Sequence, residues 1–376
     1  MLFIDVIETK NLGRIMDIEF SVAADFKRNT LDAYDRLNQR YDKKRITETF
    51  GQISIDNELG SGRPGDMLPG VTREEFEKYV AYSLKKGINF NYSLNMTCYG
   101  NHEFTKKGQK NIDNLIHYLD NIGVGSITVA IPFLIDYISQ QKTALKIKAS
   151  TLCDITNTEK ALAYLAFGAN SIVVHESIIR DFTALKNICE CMHGQVEVIA
   201  NSICHKNCMF RPFHQNQCSH SYNHDLKSEL YYSHHCVLQR SKSAAEYLKM
   251  NWIRPEDMHY YTEIGIHRFK IQGRHAVAGG NPVKTVEYYM KESYDGDLLK
   301  LVDHFSNTNT FVVAVDNKKL DGFLEPFVNT SNFCINDCRK CHYCDTWAEK
   351  CMDKEKVEQF HLLAREFYGN HEIMNT

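Results

Sequence analysis

Thirteen cysteines sit in this chain, and most of them crowd into two short segments, Cys204 to Cys236 and Cys334 to Cys351. Thiols that serve only packing would be scattered, so the crowding points to metal ligation, the chemistry for which thiolate is the soft ligand. The first segment reads NSICHKNCMFRPFHQNQCSHSYNHD and, further on, HHCVLQR. Its Cys-x3-Cys pair can hold two corners of either an iron-sulfur cluster or a zinc site. Cys204, Cys208 and Cys236 form the expected set, with Cys98, from a strand end, as the fourth ligand and Cys218 as its rival. A zinc site would draw instead on some of His205, His214, His220, His224, His234 and His235. Ordinary buried thiols are the plainer alternative.

The second segment, FCINDCRKCHYC, places Cys334, Cys338, Cys341 and Cys344 at intervals of three or four residues. Structural zinc usually takes two Cys-x2-Cys knuckles separated by a longer spacer, whereas dense spacing of this kind suits a cluster loop. An iron-sulfur site is therefore expected ahead of zinc, and a set of redox-sensing thiols ranks third. Cys351 is a spare or replaces one of the four.

The elements that must position these thiols follow from periodicity. Eight short apolar or alternating runs recur: IEFSV, ITETFGQI, INFNYSLN, SITVAI, LKIKAST, SIVVHE, VEVIANS and RFKIQGR. Most are separated by segments with apolar residues at helical spacing, several of which end in Gly. Strands alternating with single helices imply parallel pairing, and eight such units close into a (β/α)8 TIM-like barrel, an α/β fold. An open doubly wound sheet is the alternative. The barrel domain is expected over 1–320, with a Cys/His-rich insertion at 204–252. A Cys-rich segment at 321–376 ends in the helix KEKVEQFHLLAREFYG, read as a cap with one buried face.

In such a barrel the C-terminal strand ends carry the site. Cys98, Cys153, Cys204 and Cys208 fall there. Glu176 at the end of SIVVHE is expected to move a proton, and Lys270 and Arg274 around the last strand to bind a carboxylate or phosphate. Weaker claims belong to GSGRPG at 60–65, an anion cradle or merely a turn. His175 is read as structural, Arg180 and Asp181 as a helix start, and Cys189 and Cys191 as packing residues. The sequence has no G-x-S-x-G elbow, Walker loop or HExxH helix.

A net charge of −3 gives no global attraction to nucleic acid or anionic lipid. The first twenty residues, MLFIDVIETKNLGRIMDIEF, carry acids inside the apolar stretch and do not read as a signal peptide, and no apolar run approaches a membrane span. A cytoplasmic protein without membrane contact is the expectation.

The stretch IRPEDMHYYTEIGIHRFKIQGR, residues 253 to 274, resembles the signature of the peptidase U32 family, and NYSLNMTCYGNHEF and SICHKNCMFRPFHQNQCSHS are similar to segments of its uncharacterised members. That resemblance implies a barrel-like catalytic domain and a 4Fe-4S cluster held by four cysteines. Relatives hydroxylate ubiquinone precursors without oxygen or modify tRNA and ribosomal RNA bases. The expected function is thus iron-sulfur-dependent tailoring of a small molecule or peptide, with an RNA base left open and an electron-donor protein as partner. One 4Fe-4S cluster belongs in the barrel and a second in the C-terminal segment, zinc being the alternative cofactor. A metal- or thiol-dependent peptidase and a non-catalytic cluster carrier are the competing readings.

Overall fold

The computed structural model describes residues 17–369 except 56, 58, 221–229 and 309. His224 and most of the N-terminal stretch discussed above lie outside the described residues. Eight parallel strands close a barrel: β1 (Ile18–Ala23), β2 (Lys44–Gly51), β3 (Asn89–Leu94), β4 (Ser126–Val129), β5 (Lys146–Ala149), β6 (Ser171–Val173), β7 (Val196–Ile199) and, after the short pair β8 (Asn201–His205) and β9 (Met250–Trp252), β10 (Arg268–Ile271). Neighbours run β1-β10-β7-β6-β5-β4-β3-β2, which closes the ring and rules out the open sheet. All eight expected strands are present. Several of the sequence runs extend past the observed strands at their C-terminal ends, because residues such as Ser150, Thr151 and Glu176 already belong to the turns of the barrel mouth.

The outer helices form for ordinary reasons. α1 (Arg28–Arg40) precedes α2 (Arg73–Lys85), where Thr72 accepts from Glu75 N and the Glu75 carboxylate accepts from Thr72 N, a capping box. Phe76, Tyr79, Val80 and Ser83 of α2 are buried at helical spacing. In α3 (Lys106–Asn121) Ile112, Leu115, Ile116 and Leu119 do the same. The wall continues with α4 (Pro132–Ser139), α5 (Thr158–Ala166) and α6 (Phe182–Cys191). Cys189 is buried there and Cys191 packs against the core, as their helical setting led one to expect.

The crossover from β7 to β10 holds the insertion. β8 pairs antiparallel with β9, and between them lie α7 (Arg211–His220), α8 (Tyr231–Ser241) and α9 (Ala244–Leu248). α10 (Met258–Glu263) leads back to β10 and α11 (Pro282–Lys291) completes the outer ring, followed by α12 (Leu298–Val302). The C-terminal segment adds α13 (Glu325–Asn329), α14 (Cys338–Cys341), α15 (Tyr343–Cys351) and α16 (Lys354–Gly369). α16 packs on α8, with His361 Nδ1 2.9 Å from Ser241 Oγ, so it caps the insertion rather than the barrel wall. Its burial is also narrower than expected: Val357 and Ala364 are buried while Leu362, Leu363 and Phe367 are exposed.

Arg254 ties this segment to the barrel. Its fully buried guanidinium donates to Asn317 Oδ1 at 3.1 Å and to Asp321, with Glu256 and Asp257 within 3.6 and 3.8 Å. The RPED sequence therefore works as a structural clamp. Among the described residues no helix is long and apolar enough to cross a membrane.

Candidate active site at the barrel mouth

Side chains alternate along a strand, so every second residue points into the lumen. Barrel interiors are commonly filled with branched apolar side chains. Here four strands send charges inward instead: Glu48 from β2, Lys148 from β5, Glu197 from β7 and Lys270 from β10. Lys148 Nζ donates to Glu48 Oε1 at 2.8 Å and to Glu197 Oε2 at 2.7 Å. Ser21 and Ser126 donate to the two Glu48 oxygens at 2.7 and 2.9 Å, and Asn91 and Thr128 extend the network. Burial disfavours the Glu48 carboxylate, but the Lys148 and Lys270 ammoniums outweigh it and hold its pKa below the usual range. Sequence reading missed Glu48, Lys148 and Glu197. The available signal was a charge inside a strand, between valines at Glu197, between Ile147 and Ala149 at Lys148, and between threonines at Glu48.

Lys270 sits at the outer end of this ladder. Its Nζ is 3.7 Å from Glu197 Oε1, longer than a hydrogen bond, and 3.9 Å from the centre of the Phe50 ring. Burial, together with the nearby Lys148 and against the pull of Glu197, pushes its pKa down to about 8. It lines a cavity of ≈60 Å³ shared with Arg63, Glu176, Cys204, Arg211 and Arg274. Arg274, also buried, donates to Gln52 Oε1 at 2.9 Å and Ser61 Oγ at 3.4 Å. Ser61 belongs to the GSGRPG loop, which docks on the mouth through Gly62 N and Asn95 Oδ1 at 3.1 Å. A Cβ at Gly62 would lie 2.7 Å from Leu152 Cδ1 and would have to displace that side chain, so glycine suits this approach, and the loop delivers Arg63 to the site.

Glu176 requires a correction. It opens a 3-10 turn (Glu176–Ile178) instead of ending a strand, and Arg211 donates to both its oxygens at 2.8 and 2.5 Å while Thr151 donates at 2.7 Å. Burial raises its pKa but the Arg211 guanidinium wins and lowers it to about 2. A carboxylate so held positions Arg211. It does not exchange a proton near neutrality.

Beyond the mouth lies a second, larger cavity of ≈1280 Å³, enclosed by the insertion and the C-terminal segment. Arg63, Cys204, Arg211 and Gln215 line both spaces, so the two are contiguous. Cys204, Cys208, Cys218 and Cys236 face this chamber together with Cys334, Cys338 and Cys344. The two expected thiol groups thus share one space, an arrangement that spacing could not reveal. Lys206 Nζ, 3.3 Å from Cys334 Sγ, bridges them, and Arg180, whose guanidinium donates to the carbonyls of Leu248 and Met250 at 2.6 and 3.0 Å, carries charge to Cys344 and Cys334. Arg180 is thus more than a helix start.

Burial pushes the Cys204 thiol up to about 12, with Glu176 and Cys236 adding to the rise, and raises Cys208, where Cys236 again contributes. Cys204, Cys208 and Cys236 therefore lie within electrostatic reach as a set. Cys218 faces Arg63 and Arg274 instead. Cys98 lies outside the chamber lining, accepting from Gly100 N at 3.4 Å, although the adjacent Thr97 N donates to Ser219 Oγ on α7. Cys341 is exposed, outside the lining, and Cys351 is buried apart. Of the histidines, His205, His214 and His235 face the chamber and His220 is exposed. Among the described residues no three His, Cys, Asp or Glu side chains converge at the spacing of a single ion. Thiols are donors that an iron-sulfur cluster and a zinc site both accept, and seven of them line this chamber.

One nucleophile-base pair outside these cavities bears on hydrolytic chemistry. Ser177 Oγ lies 2.6 Å from His175 Nδ1, and Asp154 Oδ1 is 3.8 Å from His175 Nε2. The ring also accepts from Ser177 N at 3.2 Å, which makes it a turn cap, and none of the three lines the mouth or the chamber.

A closed parallel barrel with a charged, partly desolvated mouth at its C-terminal face has the architecture of a TIM-barrel protein whose site is built at the strand ends. The chain belongs to peptidase family U32: the model of that family matches residues 69–295. It is 28% identical over 325 residues to an uncharacterized protease of Methanocaldococcus jannaschii, covering 86% of this chain and 94% of that protein. It is also similar to the solved structure of the U32 peptidase Mk0906, with a TM-score of 0.51 and 17% identity over 70% of this chain and 95% of the other, a likeness of fold.

Proposed function

We propose that this protein is an iron-sulfur-dependent redox enzyme that modifies a small anionic molecule or peptide at the barrel mouth, or an RNA base presented there. The observation that carries the reading is that a thiol-lined chamber adjoins a cationic mouth, with Cys204 and Arg211 lining both. Cys204, Cys208 and Cys236 would hold the barrel cluster, with Cys218 or Cys98 as the fourth ligand or that position left open to a donor. Cys334, Cys338 and Cys344, with Cys341 from the same loop, would hold the second. When bound, such clusters supply electron transfer and an iron at which a donor ligand can be activated.

The chain's own residues do the rest. Arg274 and Arg63 attract a carboxylate or phosphate, Glu176 fixes Arg211 at the boundary of the two spaces, and Lys270, with its lowered pKa, is the group able to exchange a proton. Phe50 covers Lys270 and limits water. Against the peptidase alternative, among the described residues the Ser177–His175 pair lines neither cavity and the Ser241 hydroxyl beside His361 is fully buried, and the protease name belongs to the family. A cluster carrier without catalysis would have no use for the mouth charges.

The test is iron, sulfide and zinc content of protein purified without oxygen, beside Cys208→Ala and Cys341→Ala. Iron and sulfide of about eight each per chain, with each variant losing about half, is the expected result. Zinc without sulfide would overturn the proposal.

A further inference from the structure

We propose that Lys270 forms an imine with a small carbonyl compound that also carries a carboxylate, giving the mouth a covalent capability of its own. The proposal rests on the anion-binding reading of the mouth and on no cluster.

The lumen holds two carboxylates and two ammoniums, but they are not shared evenly. Lys148 takes hydrogen bonds to both Glu48 and Glu197, whereas Lys270 reaches only Glu197, at 3.7 Å. Lys270 is 8% exposed and Glu197 3%, and Glu197 Oε1 makes no hydrogen bond among the described residues. A buried amine is thus paired loosely with a buried carboxylate oxygen and lines a cavity. A lysine desolvated beside other cations is the arrangement that yields a neutral, nucleophilic amine near neutral pH, in line with the pKa of about 8.

The cavity sets the ligand class. At ≈60 Å³ it has room for roughly four or five waters, since each needs about 10–15 Å³. That suits a ligand of a few heavy atoms. Arg274 and Arg63 lining the same space select a carboxylate, and the hydroxyl of Ser93 there can donate to a carbonyl oxygen. A short α-keto acid joins the two groups at adjacent carbons.

The step balances without an oxidant. Glu197 takes a proton from the Lys270 ammonium, and the Nζ lone pair attacks the carbonyl carbon. The C–N bond forms as the carbonyl π electrons move to oxygen, which takes a proton from the attached nitrogen to give a neutral carbinolamine. Return of the proton from Glu197 to that hydroxyl expels water as the C–O bond breaks and the C=N bond forms. Ammonium and ketone become protonated imine and water, and Glu197 ends as the carboxylate it began as.

The experiment incubates the full chain with pyruvate and sodium cyanoborohydride and reads intact mass and peptide maps, with pyruvate binding measured separately by calorimetry. The expected result is one reduced pyruvyl group on the peptide carrying Lys270. It is absent from Lys270→Arg and Lys270→Met and forms about tenfold more slowly in Arg274→Gln, which loses a charge-assisted contact to the carboxylate. Unchanged thermal melting of any one lysine variant suffices as the folding control. Pyruvate binding without an adduct would overturn the imine and leave the anion site standing. Neither binding nor adduct would overturn both, and an adduct spread over many lysines or persisting without Lys270 would also refute the proposal.

Discussion

Replacing Lys148 by Met removes the one group that bridges Glu48 and Glu197 inside the barrel, at 2.8 and 2.7 Å. All three side chains are nearly buried, so water cannot take the place of the ammonium. Lys270, 3.7 Å from Glu197, is the ammonium left to balance two carboxylates. Breaking a buried pair by removing one partner costs about 3–5 kcal/mol, because an uncompensated charge is left behind. In urea, with a slope of ~3 kcal/mol/M for a chain of this size, the unfolding midpoint should fall by more than about 1 M at pH 7. The pH dependence carries a sign. Glu48 has a lowered pKa in the folded protein, so it contributes stability above the unfolded carboxylate pKa that is lost as pH falls. In the variant, burial without the ammonium raises that carboxyl instead. The deficit must therefore grow from about pH 4 to about pH 7. Glu48→Gln added to Lys148→Met restores a neutral lumen and should recover part of the loss. A deficit below about 1 kcal/mol, or one equal at acid and neutral pH, would refute the reasoning.

Arg254→Met should cost about 3–5 kcal/mol by the same rule and, because the clamp reaches Asp321, should open the C-terminal segment to limited proteolysis beyond that residue. Thr72→Ala removes the cap of α2 and should lower stability by about 1 kcal/mol, read as a small fall in the urea midpoint with an unchanged slope. For the thiols, Cys236→Ala should release iron from anaerobically purified protein while Cys98→Ala keeps most of it, since Cys236 lines the chamber and Cys98 does not. Equal loss from both would restore Cys98 as a ligand.

The eight strands were readable because each is a short apolar run between amphipathic helices, and the periodicities of two and 3.6 separate cleanly here. β8 and β9 were not, since each adjoins another apolar run and their pairing spans the insertion from Asn201 to Trp252. The thiol segments announced themselves by composition, yet their meeting in one chamber depends on how α7, α8 and the C-terminal loop fold back. Sequence distance carries no information on that. Lys270 and Arg274 were placed at the mouth by their strand-end position, whereas Glu176 was assigned a mobile proton because its partner, Arg211, lies 35 residues away in the insertion. The lumen charges were overlooked for another reason: Lys148 and Glu197 alternate with apolar neighbours, and Glu48 sits between threonines, as a solvated face would read.

The cations of the mouth could serve two masters, and their positions divide them. A buried thiol such as Cys204, held protonated by burial, gains from neighbouring positive charge when it becomes a thiolate ligand, and the cations that bear most on it are Arg211 and Arg63. Arg63 and Arg274 act similarly on Cys218. Lys270 is absent from the charges that bear most on Cys204, Cys208 or Cys218, and its strongest partner is Glu197 of the lumen. If the mouth charges existed only to support thiolates, Lys270 would serve only to balance the lumen carboxylates, whereas a substrate site gives its place on the mouth cavity a use. Arg63→Gln should therefore weaken iron retention, seen as faster bleaching of the cluster absorbance in the presence of a chelator. Lys270→Met should leave that rate unchanged while abolishing turnover. Faster bleaching in Lys270→Met would assign all of these cations to the metal and remove the argument for a carboxylate substrate.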